Sequence, residues 1–150
     1  MGIEVLRSFL RRNRRIALDS NIFIYQIQAN PRYVSVTDVV FSALELGRLT
    51  GVTSTITMTE LLVPAYRNQD EGQVNDFYAL FSRYPNLEWI PVPLKIADLA
   101  AELRASHNLQ TPDALQAATA VLAKATGLVT NDPVFARVKQ FETLVLDRIL

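Results

Sequence analysis

Residues 15–19 read Arg-Ile-Ala-Leu-Asp, and residues 127–132 read Gly-Leu-Val-Thr-Asn-Asp. In each stretch a short apolar run, of the length of a buried strand, stops at a polar segment that contains a carboxylate. We predict that both runs are parallel strands, and that Asp19 and Asp132 lie where these strands leave the sheet. Ligands of open α/β sheets bind in the crevice outside the carboxyl ends of the strands. The two stretches therefore predict one shared, negatively charged site of the kind that holds a divalent cation.

Strand and helix patterns alternate along the rest of the chain. Apolar runs at 51–54, 87–92 and 143–146 predict three more strands. Helical spacing of apolar residues predicts helices at 3–12, 22–27, 33–46, 58–66, 71–83, 94–107, 113–126 and 133–141. Strands that alternate with helices indicate βαβ units. We predict an α/β fold, a three-layer α/β/α sandwich with a mostly parallel sheet of four to five strands. It forms a single domain over residues 1–150, of which 1–14 are a basic helical extension.

Composition excludes several classes of protein and site. Of the 150 residues 49% are hydrophobic and 20% charged, which is ordinary for a globular protein. Cysteine is absent and His107 is the only histidine, so disulfide frameworks and zinc sites built from thiolates or clustered histidines are excluded. The formal net charge is zero, so no global field attracts nucleic acid. The most apolar stretch, 114–125, is too short to span a bilayer. We find no signal-peptide pattern, and we expect a cytoplasmic protein without a membrane partner.

Each of the candidate acids also has a local structural explanation. Asp19 and Asp132 directly precede predicted helices, where an aspartate caps the free amide groups. Asp113 follows Thr111 and Pro112, so Thr111 would be the N-cap and the acid would favour the dipole of the first helical turn. Glu60 would complete a capping box with Thr57. Taken one at a time, these explanations compete with a functional role.

The combination is harder to explain by capping. All four acids are predicted at the same edge of the sheet, and carboxylates held close together raise one another's pKa unless a cation neutralises them. Oxygen ligands without histidine or cysteine select Mg²⁺ or Mn²⁺ rather than zinc. We therefore predict a site for one or two such ions, with these residues as metal ligands and catalytic groups: Asp19, Glu60, Asp113 and Asp132.

Four segments of the chain resemble the PIN-domain family, and most closely the VapC-type toxin nucleases of bacterial and archaeal toxin–antitoxin pairs. The segments are 16–25 (IALDSNIFIY), 59–62 (TELL), 111–120 (TPDALQAATA) and 128–132 (LVTND). Their order and spacing cover nearly the whole chain from residue 15 onward. One such segment would be weak evidence, whereas four in the right order are fairly specific.

The resemblance implies Mg²⁺- or Mn²⁺-dependent cleavage of RNA phosphodiester bonds by the four acids. It also implies a small antitoxin partner and a homodimer. Residues expected to support the site are Ser20, Asn21, Thr130 and Asn131. Many relatives carry a further acid two positions after the last one, where this chain has Val134. That departure leaves open whether one or two metal ions bind.

The N-terminal arginines allow two interpretations. Arg11, Arg12, Arg14 and Arg15 form either a solvated boundary before the first strand or a surface that holds RNA phosphates. A neutral protein with an acidic site needs local positive charge to retain a polyanion, which favours the second interpretation.

Three alternatives to a toxin nuclease are considered. Haloacid-dehalogenase-type phosphatases also begin with an aspartate at the end of the first strand, but they need a second aspartate where this chain has Asn21. A non-catalytic PIN-like scaffold that binds RNA or protein would keep the fold without cutting. An RNA-processing PIN nuclease would cut without having an antitoxin.

Overall fold

The computed structural model describes residues 2–150. The strands are β1 (Arg15–Leu18), β2 (Thr50–Ser54), β3 (Leu87–Ile90), β4 (Gly127–Thr130) and β5 (Glu142–Val145). The helices are α1 (Gly2–Arg12), α2 (Ser20–Ile27), α3 (Val34–Glu45), α4 (Thr55–Arg67), α5 (Glu71–Arg83), α6 (Leu94–His107) and α7 (Thr111–Leu122). Two 3₁₀ turns follow β4 and β5, at Pro133–Arg137 and Leu146–Arg148.

The five strands form one parallel sheet in the order β3-β2-β1-β4-β5. The central strand β1 pairs with β2 on one side and with β4 on the other, so Ile16 lies between Gly51 and Gly127. The chain therefore builds the sheet outward in one direction, returns, and continues in the other. The reversal of strand order falls between β1 and β4, which is where such sheets form a binding crevice. The predicted parallel α/β/α fold is confirmed.

Each face of the sheet is covered by a separate hydrophobic core. Ile16, Leu18 and Val129 point into the core that α1 to α5 cover, which is rich in large side chains such as Phe23. Ala17 and Leu128 point into the other core, beneath α6 and α7. The core-facing side chains of α7 are largely alanines, which bring this helix close to the sheet.

Two helices begin where the capping patterns do not predict. Helix α4 is capped by Ser54, whose hydroxyl accepts a hydrogen bond from the amide of Ile56, and Thr57 is instead fully buried. The predicted capping box of Thr57 and Glu60 is therefore wrong. Thr111 is the first residue of α7, and the preceding Gln110 makes no side-chain cap. The predicted N-cap at Thr111 is therefore also wrong. Pro112 in the first turn has no amide hydrogen, so this turn needs fewer capping partners.

Several predicted ends are also too long. The strand within 87–92 ends at Ile90, directly before Pro91, whereas the helix predicted to reach 126 ends at Leu122. The predicted helix 133–141 is a 3₁₀ turn that stops at Arg137. No helix between residues 2 and 150 has both the length and the apolar character needed to cross a membrane.

Candidate functional site

Asp19 lies at the carboxyl end of the central strand and is 7% exposed. Its Oδ1 accepts a hydrogen bond from the amide of Ser20 (2.8 Å) and its Oδ2 accepts one from the hydroxyl of Thr130 (2.7 Å). The backbone amide of Asp19 also donates to Val129 on β4. The residue is thus the N-cap of α2, as its position predicts, and at the same time it joins β1 to the end of β4.

Asp132 is held by the tight turn after β4. Its amide donates to the Thr130 hydroxyl (2.9 Å), and its Oδ1 accepts from the amide of Val134 (3.0 Å) at the start of the 3₁₀ turn. The Thr130 hydroxyl therefore accepts from one acidic residue and donates to the other. This single buried hydroxyl fixes Asp19 and Asp132 relative to each other.

Asp113 and Glu60 approach the same edge from two helices. Asp113 lies in the first turn of α7 and is half-buried, whereas Glu60 is an exposed residue in the second turn of α4. Both lie close enough to Asp19 for its charge to act on them. The structure therefore brings the four predicted acids to one edge of the sheet.

Like charge and burial oppose ionisation throughout this edge. Burial, together with the charges of Asp19 and Asp132, raises the pKa of Asp113 to about 6. Although the Glu60 side chain is exposed as a whole, partial desolvation of its carboxyl group, and then the charges of Asp19 and Asp113, raise the pKa of Glu60. Burial also raises the pKa of Asp19, an effect that Asp132 increases and that the bonds from Thr130 and Ser20 oppose. Among residues 2–150 no positively charged side chain contributes to the shifts of these carboxylates.

A buried network that the sequence patterns do not reveal ties the helices to the strands. Gln116 on α7 accepts a hydrogen bond from the amide of Ser54 (2.9 Å) and donates to the hydroxyl of Thr57 on α4 (2.8 Å). The hydroxyl of Thr53 donates to the carbonyl of Leu18 (2.9 Å) and lies 2.7 Å from that of Thr57. The network fixes the helices that carry Glu60 and Asp113 against the ends of β1 and β2. A polar residue on the alanine-rich face of α7 is the one sequence signal that points to it.

Asn131 lies between Thr130 and Asp132 in the sequence and anchors the turn that follows β4. Its side-chain amide donates to the hydroxyls of Tyr25 and Tyr33, both at 3.1 Å, and its Oδ1 accepts from the amide of Asp147 (2.9 Å). The two tyrosine rings stack, with centroids 4.0 Å apart. Asn131 therefore supports the turn after β4 from outside the group of acids.

The other two predicted supporting residues behave differently. Ser20 is buried and gives its backbone amide to Asp19. Asn21 makes no side-chain hydrogen bond within residues 2–150, and its Oδ1 is buried without a partner. This unpartnered amide oxygen lies two residues from Asp19 in the sequence. It is therefore available to accept a hydrogen bond or to act as a metal ligand.

The four N-terminal arginines lie at the opposite end of the sheet. Arg12 makes a bidentate ion pair with Glu142. Arg15 donates to the carbonyl of Ala123 (2.6 Å) and pairs with Glu88 (2.9 and 3.0 Å). These contacts hold strands and helices together. RNA binding by Arg11, Arg12, Arg14 and Arg15 stays a prediction.

The acids are not arranged as a finished coordination shell. Within residues 2–150 no three histidine, cysteine, aspartate or glutamate side chains are placed to hold a metal ion. Asp19 and Asp132 use their oxygens to accept bonds from neighbouring backbone and hydroxyl groups. Each carboxylate oxygen has further lone pairs, so these bonds do not prevent a ligand role.

Comparisons with known proteins agree with this architecture. The PIN domain family model matches residues 16–140. Among solved structures, the chain is similar to VapBC2 from Rickettsia felis bound to a DNA fragment from their promoter (24% identity, TM-score 0.72, 87% of this chain and 98% of that chain). It is also similar to a toxin–antitoxin complex from Klebsiella pneumoniae (25% identity, TM-score 0.64, 87% and 97%). A third similar structure is FitAcB from Neisseria gonorrhoeae (19% identity, TM-score 0.65, 87% and 97%).

No curated protein matches the chain significantly. The similarities to solved structures below 25% identity concern the fold. The family model, in contrast, spans the strands and helices that carry all four acids. On this evidence the chain belongs to the PIN-domain family.

Proposed function

We propose that this protein is a divalent-metal-dependent endoribonuclease and the toxin of a toxin–antitoxin pair. The observation that carries the proposal is the group of four acids at one sheet edge, where burial and like charge raise the pKa of Asp113 to about 6. Family membership supports nuclease chemistry. Similarity to solved toxin–antitoxin complexes supports an antitoxin partner.

The donor set fits Mg²⁺ or Mn²⁺. The edge offers carboxylate, hydroxyl and amide oxygens and no imidazole or thiolate, which is the chemistry that these hard cations prefer. A cation would also reverse the unfavourable charge that Asp19, Asp113 and Asp132 impose on one another. We propose that these three residues hold one or two ions, directly or through water.

The chain's own residues prepare the site for phosphodiester hydrolysis. When bound, a divalent cation supplies a water of lowered pKa and positive charge for the phosphate and the leaving oxygen. Thr130 fixes Asp19 relative to Asp132, and the network around Gln116 fixes α4 and α7. Glu60, which is exposed at the rim, would either complete the ligand set or orient the attacking water. We expect products with a 5′-phosphate and a 3′-hydroxyl.

Cleavage of RNA by the purified chain with freshly added Mn²⁺ or Mg²⁺ tests this proposal. We expect cleavage that EDTA abolishes and that Asp19→Asn and Asp113→Asn both remove. Folding of the variants is checked by circular dichroism. If the chain with fresh metal cuts neither structured nor single-stranded RNA, it is a non-catalytic scaffold.

Expression in cells tests the toxin assignment separately. We expect growth arrest that Asp19→Asn prevents and that the product of a short open reading frame immediately upstream rescues. Cleavage without growth arrest would instead indicate an RNA-processing nuclease that has no antitoxin. Light scattering of the purified chain tests the proposed homodimer.

A further inference from the structure

A groove of about 540 Å³ lies between α1 and α3, away from the four acids. Helix α1 runs from the carboxyl end of the sheet, where Gly2 lies against Ile149, to the amino end, where Arg12 meets Glu142. The residues that line the groove come from the second part of α1, from α3, and from the segments that precede β1 and β2. The groove therefore opens near the amino ends of the strands, opposite the candidate nuclease site.

The rim of the groove is strongly basic. Four arginines line it: Arg7, Arg11, Arg14 and Arg48. Asp38 is the one acid in the lining, and its Oδ1 already accepts a hydrogen bond from Gln26 (2.7 Å). Across residues 2–150 no carboxylate lies within 4.0 Å of Arg11, Arg14 or Arg48, in contrast to Arg12 and Arg15. The guanidinium groups of Arg11, Arg14 and Arg48 are thus available to a ligand with negative charge, whereas that of Arg7 lies 3.9 Å from Glu4.

The floor of the groove is aliphatic. Leu10 and Leu49 are almost buried, Val39 is half-buried, and Leu46 is 66% exposed. No aromatic ring is among the residues that line it. Single-stranded nucleic acid is usually held by aromatic rings on which bases stack, and this groove offers none. An aliphatic floor instead favours a ligand with aliphatic side chains.

One wall of the groove lies outside the match to the family domain. Helix α1 ends before residue 16, where the match to the PIN domain begins. The groove is therefore built partly from a helix that the family model does not cover.

We propose that the α1–α3 groove binds an acidic amphipathic helical segment of a partner protein. The leucine floor would bury the apolar face of that segment, and Arg11, Arg14 and Arg48 would pair with its flanking carboxylates. The proposal does not depend on the nuclease activity, because the groove and the four acids lie at opposite ends of the sheet.

Binding of a designed peptide to the full chain tests the proposal. The probe is a fluorescein-labelled helical peptide of about 14 residues, enough to run the length of α3, with leucines at positions i, i+3, i+4 and i+7 and flanking glutamates. The matched probe keeps the leucines and replaces each glutamate by lysine. Anisotropy is measured on the wild type, on Arg11→Glu/Arg14→Glu, and on the control Arg67→Glu/Arg148→Glu, which makes the same charge change at exposed arginines outside the groove.

We expect the acidic peptide to bind the wild type, to bind the groove variant at least about tenfold more weakly, and to bind the control variant within about twofold of the wild type. Absence of binding to the wild type, equal binding of the lysine peptide, or equal weakening in both variants would overturn the proposal. A loss of poly(U) RNA affinity confined to the groove variant, without peptide binding, would assign the arginines to the RNA substrate instead. RNA cleavage by the groove variant is measured alongside, so failure of this proposal is distinct from failure of the nuclease assignment.

Discussion

At the amino ends of the strands opposite charges are paired, whereas at the carboxyl ends like charges face one another. Arg12 bonds Glu142 and Arg15 bonds Glu88, and these bonds lower the pKa of both glutamates. The four ions satisfy one another across strands that are distant in the sequence. Each of these two ion pairs is balanced within itself, although Arg11, Arg14 and Arg48 at the same end have no carboxylate within 4.0 Å among residues 2–150.

The carboxyl end is electrostatically incomplete. Asp19, Glu60 and Asp113 each have a raised pKa because of burial and neighbouring negative charge. Such an arrangement destabilises the fold unless a cation binds, because carboxylates held close together repel one another. The contrast indicates that the ion pairs at the amino ends of the strands maintain the structure, whereas the carboxylates at the carboxyl ends are suited to bind a cation.

The largest expected effect is a difference in the rate of RNA cleavage between variants at the two ends of the sheet. Asp113→Asn should lower the rate of RNA cleavage by at least about a hundredfold, because it removes one of the charges that would hold the cation. Glu88→Gln, at the amino end, should leave that rate within about twofold. Both rates are measured at saturating Mn²⁺. Equal losses in the two variants would contradict a functional difference between the ends.

The next effect tests how the carboxyl end is held together. Gln116→Leu should lower the free energy of unfolding by about 2 kcal/mol, because it leaves the buried amide of Ser54 without its side-chain partner and removes one of the two partners of the Thr57 hydroxyl. Urea denaturation measures the change. The control is Thr119→Val, also buried on α7, whose hydroxyl bonds only the carbonyl of Leu115 within the helix. It should cost about 1 kcal/mol or less, and a cost equal to that of Gln116→Leu would argue against the network.

A third effect is the pH dependence of stability in the presence of EDTA. The pKa of Asp113 is raised from 3.8 to about 6 in the folded chain, so between these values the folded state binds more protons than the unfolded state. The free energy of unfolding should therefore fall as pH rises through this window, by up to about 2 kcal/mol after allowance for solvent screening. The raised pKa values of Asp19 and Glu60 act in the same direction.

Denaturation at pH 4.5 and pH 7 measures this fall, taken as the difference between wild type and Asp113→Asn so that groups not coupled to Asp113 cancel. Saturating Mg²⁺ should reduce it. A wild type that gained stability relative to the variant over this interval would contradict the sign of the shift.

The smallest effect concerns the amino end. A double-mutant cycle of Arg15→Met and Glu88→Gln should give a coupling of at most about 1 kcal/mol, since this ion pair is partly exposed. The coupling should shrink at high salt. A larger value that is independent of salt would mean that the pair is more than a surface contact.

Local patterns were sufficient to predict most of the fold. Short apolar runs marked the five strands, and a carboxylate directly after a run placed Asp19 and Asp132 at the sheet edge. Glu60 and Asp113 required the resemblance or the joint argument, because in the sequence a capping box offered a local explanation for Glu60 and the dipole of a first helical turn offered one for Asp113. The sequence did not predict the strand order, since the pairing of β1 with β4 joins residues more than 100 positions apart.

Contacts between distant segments were the part that local patterns could not predict. Gln116 meets Thr57 across 59 positions, and Arg12 meets Glu142 across 130. Thr57 fitted a capping box in the sequence, but its hydroxyl is better satisfied inside the protein by Gln116 and Thr53. A buried partner supplied by tertiary structure outweighed a local motif of about 1 kcal/mol.

The central position of β1 also determines when the site can exist. Asp19 directly follows β1, but Thr130, which orients it, lies at the end of β4, 111 positions later in the sequence. Domains whose key pairings are distant in sequence fold late, after the closing segment has been synthesised. A growing or truncated chain that ends before β4 therefore lacks both the turn and Asp132. If the protein cleaves RNA, the cell that translates it is exposed to that activity only once the chain has been synthesised through β4 and Asp132.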